Sequence, residues 1–200
     1  MYSKPIHTLI RALSRLPSVG PRTAERFVFF LLKSGKKEVA DLSLALQELM
    51  HTVRSCEVCW DFSDRTPCAI CSNKKRDWAT IAVVAEPQDL QAIEKIGSYT
   101  GVYHILRGTL SADMEGRNNG IKIQELFKRL KAMPIKEVIL ALNPNMDGET
   151  TMMYLEAEIK RNFPTVIVSR LARGLPSGSE LQYADEITLE NALRSRTVLK

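Results

Sequence analysis

Every cysteine of the chain falls within sixteen residues, CEVCWDFSDRTPCAIC, at positions 56, 59, 68 and 71. No other feature constrains the fold as tightly. The stretch is two Cys-x-x-Cys pairs with eight residues between them. One such pair delivers two thiolates from a single tight turn, and two pairs close a tetrahedral shell of soft ligands about 2.3 Å from a zinc ion. Two disulfides are the alternative, disfavoured in a reducing compartment. A redox pair needs only one Cys-x-x-Cys in a thioredoxin-like setting. The spacing therefore predicts one zinc bound by Cys56, Cys59, Cys68 and Cys71. With four thiolates the ion has no open position for a substrate, so its role is structural, stabilising a segment too small to fold on apolar burial alone. Trp60 and Phe62, between the pairs, are expected to pack over the metal loop; stacking on nucleic acid is a second reading for Trp60.

The chain changes texture on either side of this segment. Upstream, apolar residues recur at helical spacing over 6–16, 23–33 and 38–54. Pro17 and Gly20 break the first pattern, Pro21 suits the first turn of the second, and Ser34–Gly35 ends it. Downstream, short β-branched runs at 80–85, 102–106, 137–142 and 165–169 alternate with helical patterns at 89–96, 121–132 and 150–162. That alternation predicts the α/β class, with a mainly parallel sheet flanked by helices. A loop over 108–120 is rich in Gly, Asn and charge and reads as mobile.

Charge follows the same division. Residues 1–80 carry 13 Lys and Arg against 8 Asp and Glu, whereas residues 81–200 carry 15 of each. The whole excess of +5 is N-terminal, which points to a basic surface whose commonest partner is nucleic acid. Apolar residues at 44% and charged residues at 26% describe a globular protein. No apolar run approaches the roughly 20 residues of a membrane span. No secretory signal pattern is visible, so a cytoplasmic location without membrane partners is expected.

Within the basic region, LPSVGPRTAERF (16–27) joins two helices through a tight turn. Gly20 permits positive φ or a close approach. The free N–H groups of the following helix form a backbone phosphate site, and Arg22 and Arg26, four apart, share a face beside it. Lys4, Arg11 and Arg15 extend the patch. Such a device reads phosphates rather than bases, so binding is expected to be non-specific and salt-dependent. An ordinary helical hairpin is the competing reading, and the N-terminal charge excess favours nucleic acid.

Three carboxylates sit where strands end. Glu86 follows the 80–85 run, and Asp147 and Glu149 follow the 137–142 run. Ligands of parallel sheets bind outside the carboxyl ends of strands, so the three are placed to converge on a crevice suited to Mg²⁺. Each also reads as a solvated loop carboxylate, and Glu149 as a helix-start residue complementing the dipole. Phosphoryl-transfer chemistry would further need a nucleophile and cations on the transferring group. Tyr99, Tyr103, Tyr154 and Tyr183 have no motif around them, His7, His51 and His104 are scattered, and no P-loop occurs.

Taken in order, these pieces resemble the bacterial recombination mediators of the RecR family. LPSVGPRTAER is similar to the family's helix-hairpin-helix motif, and the four cysteines to its zinc motif. IAVVAEPQDLQAIE and VILALNPNMDGETT are similar to the two acidic motifs of its Toprim domain, and RGLPSGSELQYADEITLENAL to its C-terminal, Walker B-like segment. The resemblance implies four regions: 1–54 for DNA binding and assembly, 55–78 for zinc, 79–172 for the Toprim domain, and 173–200 for assembly. It implies a non-catalytic, ring-shaped homotetramer that encircles single- and double-stranded DNA and works with RecO and RecF to load RecA on single strands. Arg22 and Arg26 fall where the family places DNA-contacting residues; Glu86, Asp147 and Glu149 fall on acidic positions linked to metal and partners. Three departures stand out. Ala85 replaces a usual acidic residue, Pro176–Ser177–Gly178–Ser179 replaces Pro-x-Gly-Gly, and 108–120 lacks a Gly-x-Gly-Pro run. The rival classes are a Mg²⁺-dependent Toprim nuclease or topoisomerase-like enzyme, and a zinc-stabilised adaptor that binds only protein.

Overall fold

The computed structural model describes residues 2–110 and 120–198; most of the loop read over 108–120 lies outside them. The chain divides into two compact units, residues 1–53 and 54–200.

The first unit is three helices: α1 (Lys4–Leu13), α2 (Pro21–Ser34) and α3 (Lys36–Thr52). Proline occupies the first turn of both α1 and α2, where its missing N–H costs nothing. Gly35, at φ 95°, ends α2 and caps α3, a conformation that a Cβ would oppose. The packed interior is small: Ala24 and Val28 are buried, and α3 buries no residue. The helical periodicity is real, but much of its apolar face is uncovered. Leu44 is 62% exposed, Leu46 56% and Met50 80%.

The second unit opens with a two-residue hairpin, β1 (Arg54–Ser55) against β2 (Phe62–Ser63), which frames the first cysteine pair. Then follow β3 (Asp77–Val84), α4 (Pro87–Glu94), β4 (Gly101–Ile105), α5 (Ile123–Ala132), β5 (Glu137–Leu140), α6 (Met146–Asn162) and β6 (Ile167–Arg170). The four longer strands form one parallel sheet in the order β4-β3-β5-β6. Its central strands are apolar on both faces, as burial under helices on both sides requires. Ile81, Val83, Val138 and Leu140 pack with Leu126, Leu130, Leu155 and Ile159 on one side. Ala82 and Val84 pack with Leu90, Tyr103 and Ile105 on the other. This is the α/β architecture expected from the sequence.

The helix predicted over 150–162 starts earlier, at Met146, so Asp147 and Glu149 lie in its first turn rather than in a loop. Gly148 lies inside this first turn, and it is required here. A Cβ on it would lie 2.0 Å from the Asn143 carbonyl oxygen, so only glycine lets α6 approach the end of β5 this closely. Beyond β6 the chain carries a 3-10 turn (Leu181–Tyr183) and a last helix, α7 (Glu186–Arg194), capped by Asp185 on the Thr188 N–H at 2.9 Å. Leu181, Tyr183, Ile187 and Leu193 are exposed.

Candidate metal centre and nucleic-acid interface

All four cysteines are buried, and their sulfurs lie within 4.8 Å of one another. Cys59 Sγ and Cys68 Sγ are 3.6 Å apart, far beyond the ~2.0 Å of a disulfide. That spacing matches the ~3.8 Å edge of a tetrahedron with ~2.3 Å metal–sulfur bonds. The two pairs use the same turn. The Trp60 N–H donates to the Cys56 carbonyl and the Ser72 N–H to the Cys68 carbonyl, both at 2.9 Å. Trp60 takes a positive φ of 68° to close the first. The Cys68 N–H donates to Cys56 Sγ at 3.3 Å and the Cys71 N–H to Cys68 Sγ at 3.5 Å. Such bonds favour thiolate. The hydrogen bond shared by the Cys59 and Cys68 sulfurs raises the pKa of Cys59 and lowers that of Cys68. A divalent cation substitutes for that shared proton, and the residues fit a structural zinc.

Trp60 and Phe62 do not cover the sulfurs. Val58, Ile70 and Trp78 do. Phe62 instead carries the Arg107 guanidinium 3.9 Å above its ring, and Trp60 carries Lys122 Nζ at 4.4 Å. Both cations come from the sheet domain, whose contacts with the hairpin were invisible in a linear sequence.

At the C-terminal edge of the sheet, β3 and β5 are neighbours, with Val83 opposite Leu140. Glu86 and the first turn of α6 therefore leave the same edge. Glu86 is exposed and caps α4; its N–H donates to the Asp89 carboxylate at 3.0 Å. Asn145 caps α6, its Oδ1 accepting from the Gly148 N–H at 2.8 Å. Asp147 and Glu149 thus sit at the positive end of the helix dipole. Glu149 is ion-paired with Arg173. Among the described residues the four cysteines are the cluster positioned to hold a metal; Glu86, Asp147 and Glu149 do not gather into a comparable one. A crevice at this edge is lined by Asp89, Asn143, Arg170 and Arg173. Cations are therefore present beside the acidic residues: Arg170 and Arg173 arrive from the end of β6 and the segment after it.

In the first unit, Lys4, Arg11, Arg15, Arg22 and Arg26 are all exposed. The ion pairs of the described residues all lie in the second unit. Gly20 is the N-cap of α2 at φ −78°, and a Cβ there would meet nothing within 4 Å, so among the described residues it uses neither the positive φ nor the close approach that glycine permits. Ser18 takes a positive φ, at 62°. Gly20 leaves the first turn of α2 without a side-chain cap. Arg22 and Arg26 line a groove with Tyr2, Phe27, Phe30 and Lys33.

A helical unit followed by a four-thiolate module and a parallel sheet with an acidic C-terminal edge defines a zinc-bearing Toprim protein. Four family models match the chain: RecR helix-hairpin-helix over residues 6–50, the RecR four-cysteine zinc finger domain over 53–73, Toprim domain over 79–172, and RecR C-terminal over 174–197. The chain belongs to the RecR family, which places it in recombinational DNA repair and makes the zinc its structural cofactor.

Proposed function

We propose that the chain is a non-catalytic DNA-binding clamp, acting in the cytoplasm with RecO and RecF to load RecA on single-stranded DNA. Residues 1–54 bind DNA and assemble, 55–78 hold zinc, 79–172 form the Toprim domain, and 173–200 complete the assembly. The observation that carries the reading is the exposed pair Arg22 and Arg26 beside the uncapped N-terminus of α2. Free N–H groups and two guanidiniums suit phosphate backbone without reading bases. Uncovered apolar residues on α3 and α7 support assembly into a homotetramer, because surfaces of this kind are buried in an oligomer. Glu86, Asp147 and Glu149 then serve as an acidic surface for a basic partner or for Mg²⁺.

Each phosphate contact contributes about −0.9 to the slope of log K against log salt. Arg22→Ala with Arg26→Ala should therefore weaken binding and flatten the slope by about 2. An unchanged slope and affinity in a folded double variant would sink the claim.

A Mg²⁺-dependent nuclease or topoisomerase-like enzyme is the second reading, favoured by Arg170 and Arg173 beside the acidic edge. It predicts plasmid nicking or relaxation that Glu86→Gln abolishes.

A further inference from the structure

One of the sheet's two end strands is β4, whose free edge would invite pairing with another chain. The first cysteine turn covers it: the Ile105 N–H donates to the Cys59 carbonyl at 2.8 Å. Behind this junction lies Arg129 of α5, only 7% exposed. Its Nη1 donates to the Tyr103 carbonyl on β4 at 2.6 Å and to the Val58 carbonyl, inside the first cysteine turn, at 3.4 Å. Its guanidinium carbon lies 5.8 Å from the ring centre of Trp78, which itself packs against the four cysteines. Nε and Nη2 are buried without a hydrogen-bond partner among the described residues.

A guanidinium keeps its charge in a protein, and an uncompensated buried charge costs several kcal/mol. No carboxylate among the described residues forms an ion pair with Arg129. Burial lowers its pKa, and the sulfurs of Cys71, Cys59 and Cys56 act in the opposite sense. Four thiolates around a divalent zinc carry a net charge of −2. Asp61, the buried carboxylate of the module, instead accepts from the Phe62 N–H at 2.8 Å and feels the charge of Arg107. Arg107 and Lys122 also approach the module, but both are partly exposed and face its aromatic rings.

We propose that Arg129 is a positioning residue of the zinc centre: its buried guanidinium balances the tetrathiolate charge and fastens the first cysteine turn across the edge of β4. Metal occupancy and closure of that edge are thereby one event. This role is separate from DNA binding and survives if the clamp reading fails.

The test uses the full chain loaded with cobalt, whose visible bands report tetrahedral thiolate ligation, and follows metal loss to an excess of chelator. Outer-sphere partners of metal ligands typically contribute about 10–100-fold in affinity. Arg129→Met should keep the tetrahedral spectrum when loaded and release metal at least about tenfold faster, and Arg129→Lys should recover part of the difference. Wild-type release from a folded Arg129→Met chain overturns the proposal, as does a lysine variant no better than methionine. The native protein supplies a second measurement that needs no variant. Stripping its zinc should remove hydrogen-exchange protection at the Ile105 amide, and unchanged protection there contradicts the coupling.

Discussion

Arg173, three residues past the end of β6, donates to Glu149 in the first turn of α6. The acidic position that the sequence offers for metal is thus already neutralised by the chain itself. A divalent ion or a basic partner competes with this guanidinium for Glu149. Both side chains are about a third exposed, so the pair contributes no more than about 1 kcal/mol to stability. Arg173→Ala should leave the fold nearly as stable and tighten Mn²⁺ binding at the acidic edge, measured by calorimetry. Glu149→Gln in the same background should remove the gain.

The zinc prediction has a built-in reporter. The two tryptophans of the chain, Trp60 and Trp78, both lie in or beside the metal segment. Structural zinc contributes roughly 10–16 kcal/mol in small finger peptides, comparable to the whole ~5–15 kcal/mol that stabilises a domain. Chelation or Cys68→Ser should therefore unfold this segment and red-shift nearly all of the tryptophan emission. Elemental analysis of the untreated protein should give about one zinc per chain.

His104 on β4 is fully buried, and its Nε2 donates to the Lys122 carbonyl at 2.7 Å. Burial is the main cause that lowers its pKa to about 4 from an ordinary 6.5. Between those values the unfolded chain binds a proton that the folded chain refuses. Stability from this group is complete above about pH 6.5 and falls as pH drops toward 4, by up to ~3 kcal/mol. Denaturant melts across that window should show a steeper acid limb for the native protein than for His104→Gln.

The zinc ligands and the sheet class were legible because both are local patterns: a fixed spacing of one residue type, and short β-branched apolar runs alternating with runs of period 3.6. The start of α6 was not legible. What makes glycine suit the first turn is the Asn143 carbonyl, which fills the space of a side chain at Gly148, and no local pattern shows that. Arg173 was missed for a related reason. Its partner lies 24 positions away in sequence, and no spacing rule joins them. The apolar stripe of α3 was read correctly as a helical face, but a stripe does not say whether its cover comes from the same chain. Here the described residues of the first unit leave it exposed. Trp60 and Phe62 were misplaced because the cations that hold them, Lys122 and Arg107, come from the sheet domain.

The central claim is that this chain assembles around DNA rather than cutting it. Its most direct test is retention on closed circular against linear DNA of the same sequence, after a wash at high salt and without nuclease activity in Mg²⁺. A ring predicts protein that stays on circles, slides off linear ends, and is released from circles when they are linearised. Equal loss from both forms, or nicked circles in the presence of Mg²⁺, would contradict it.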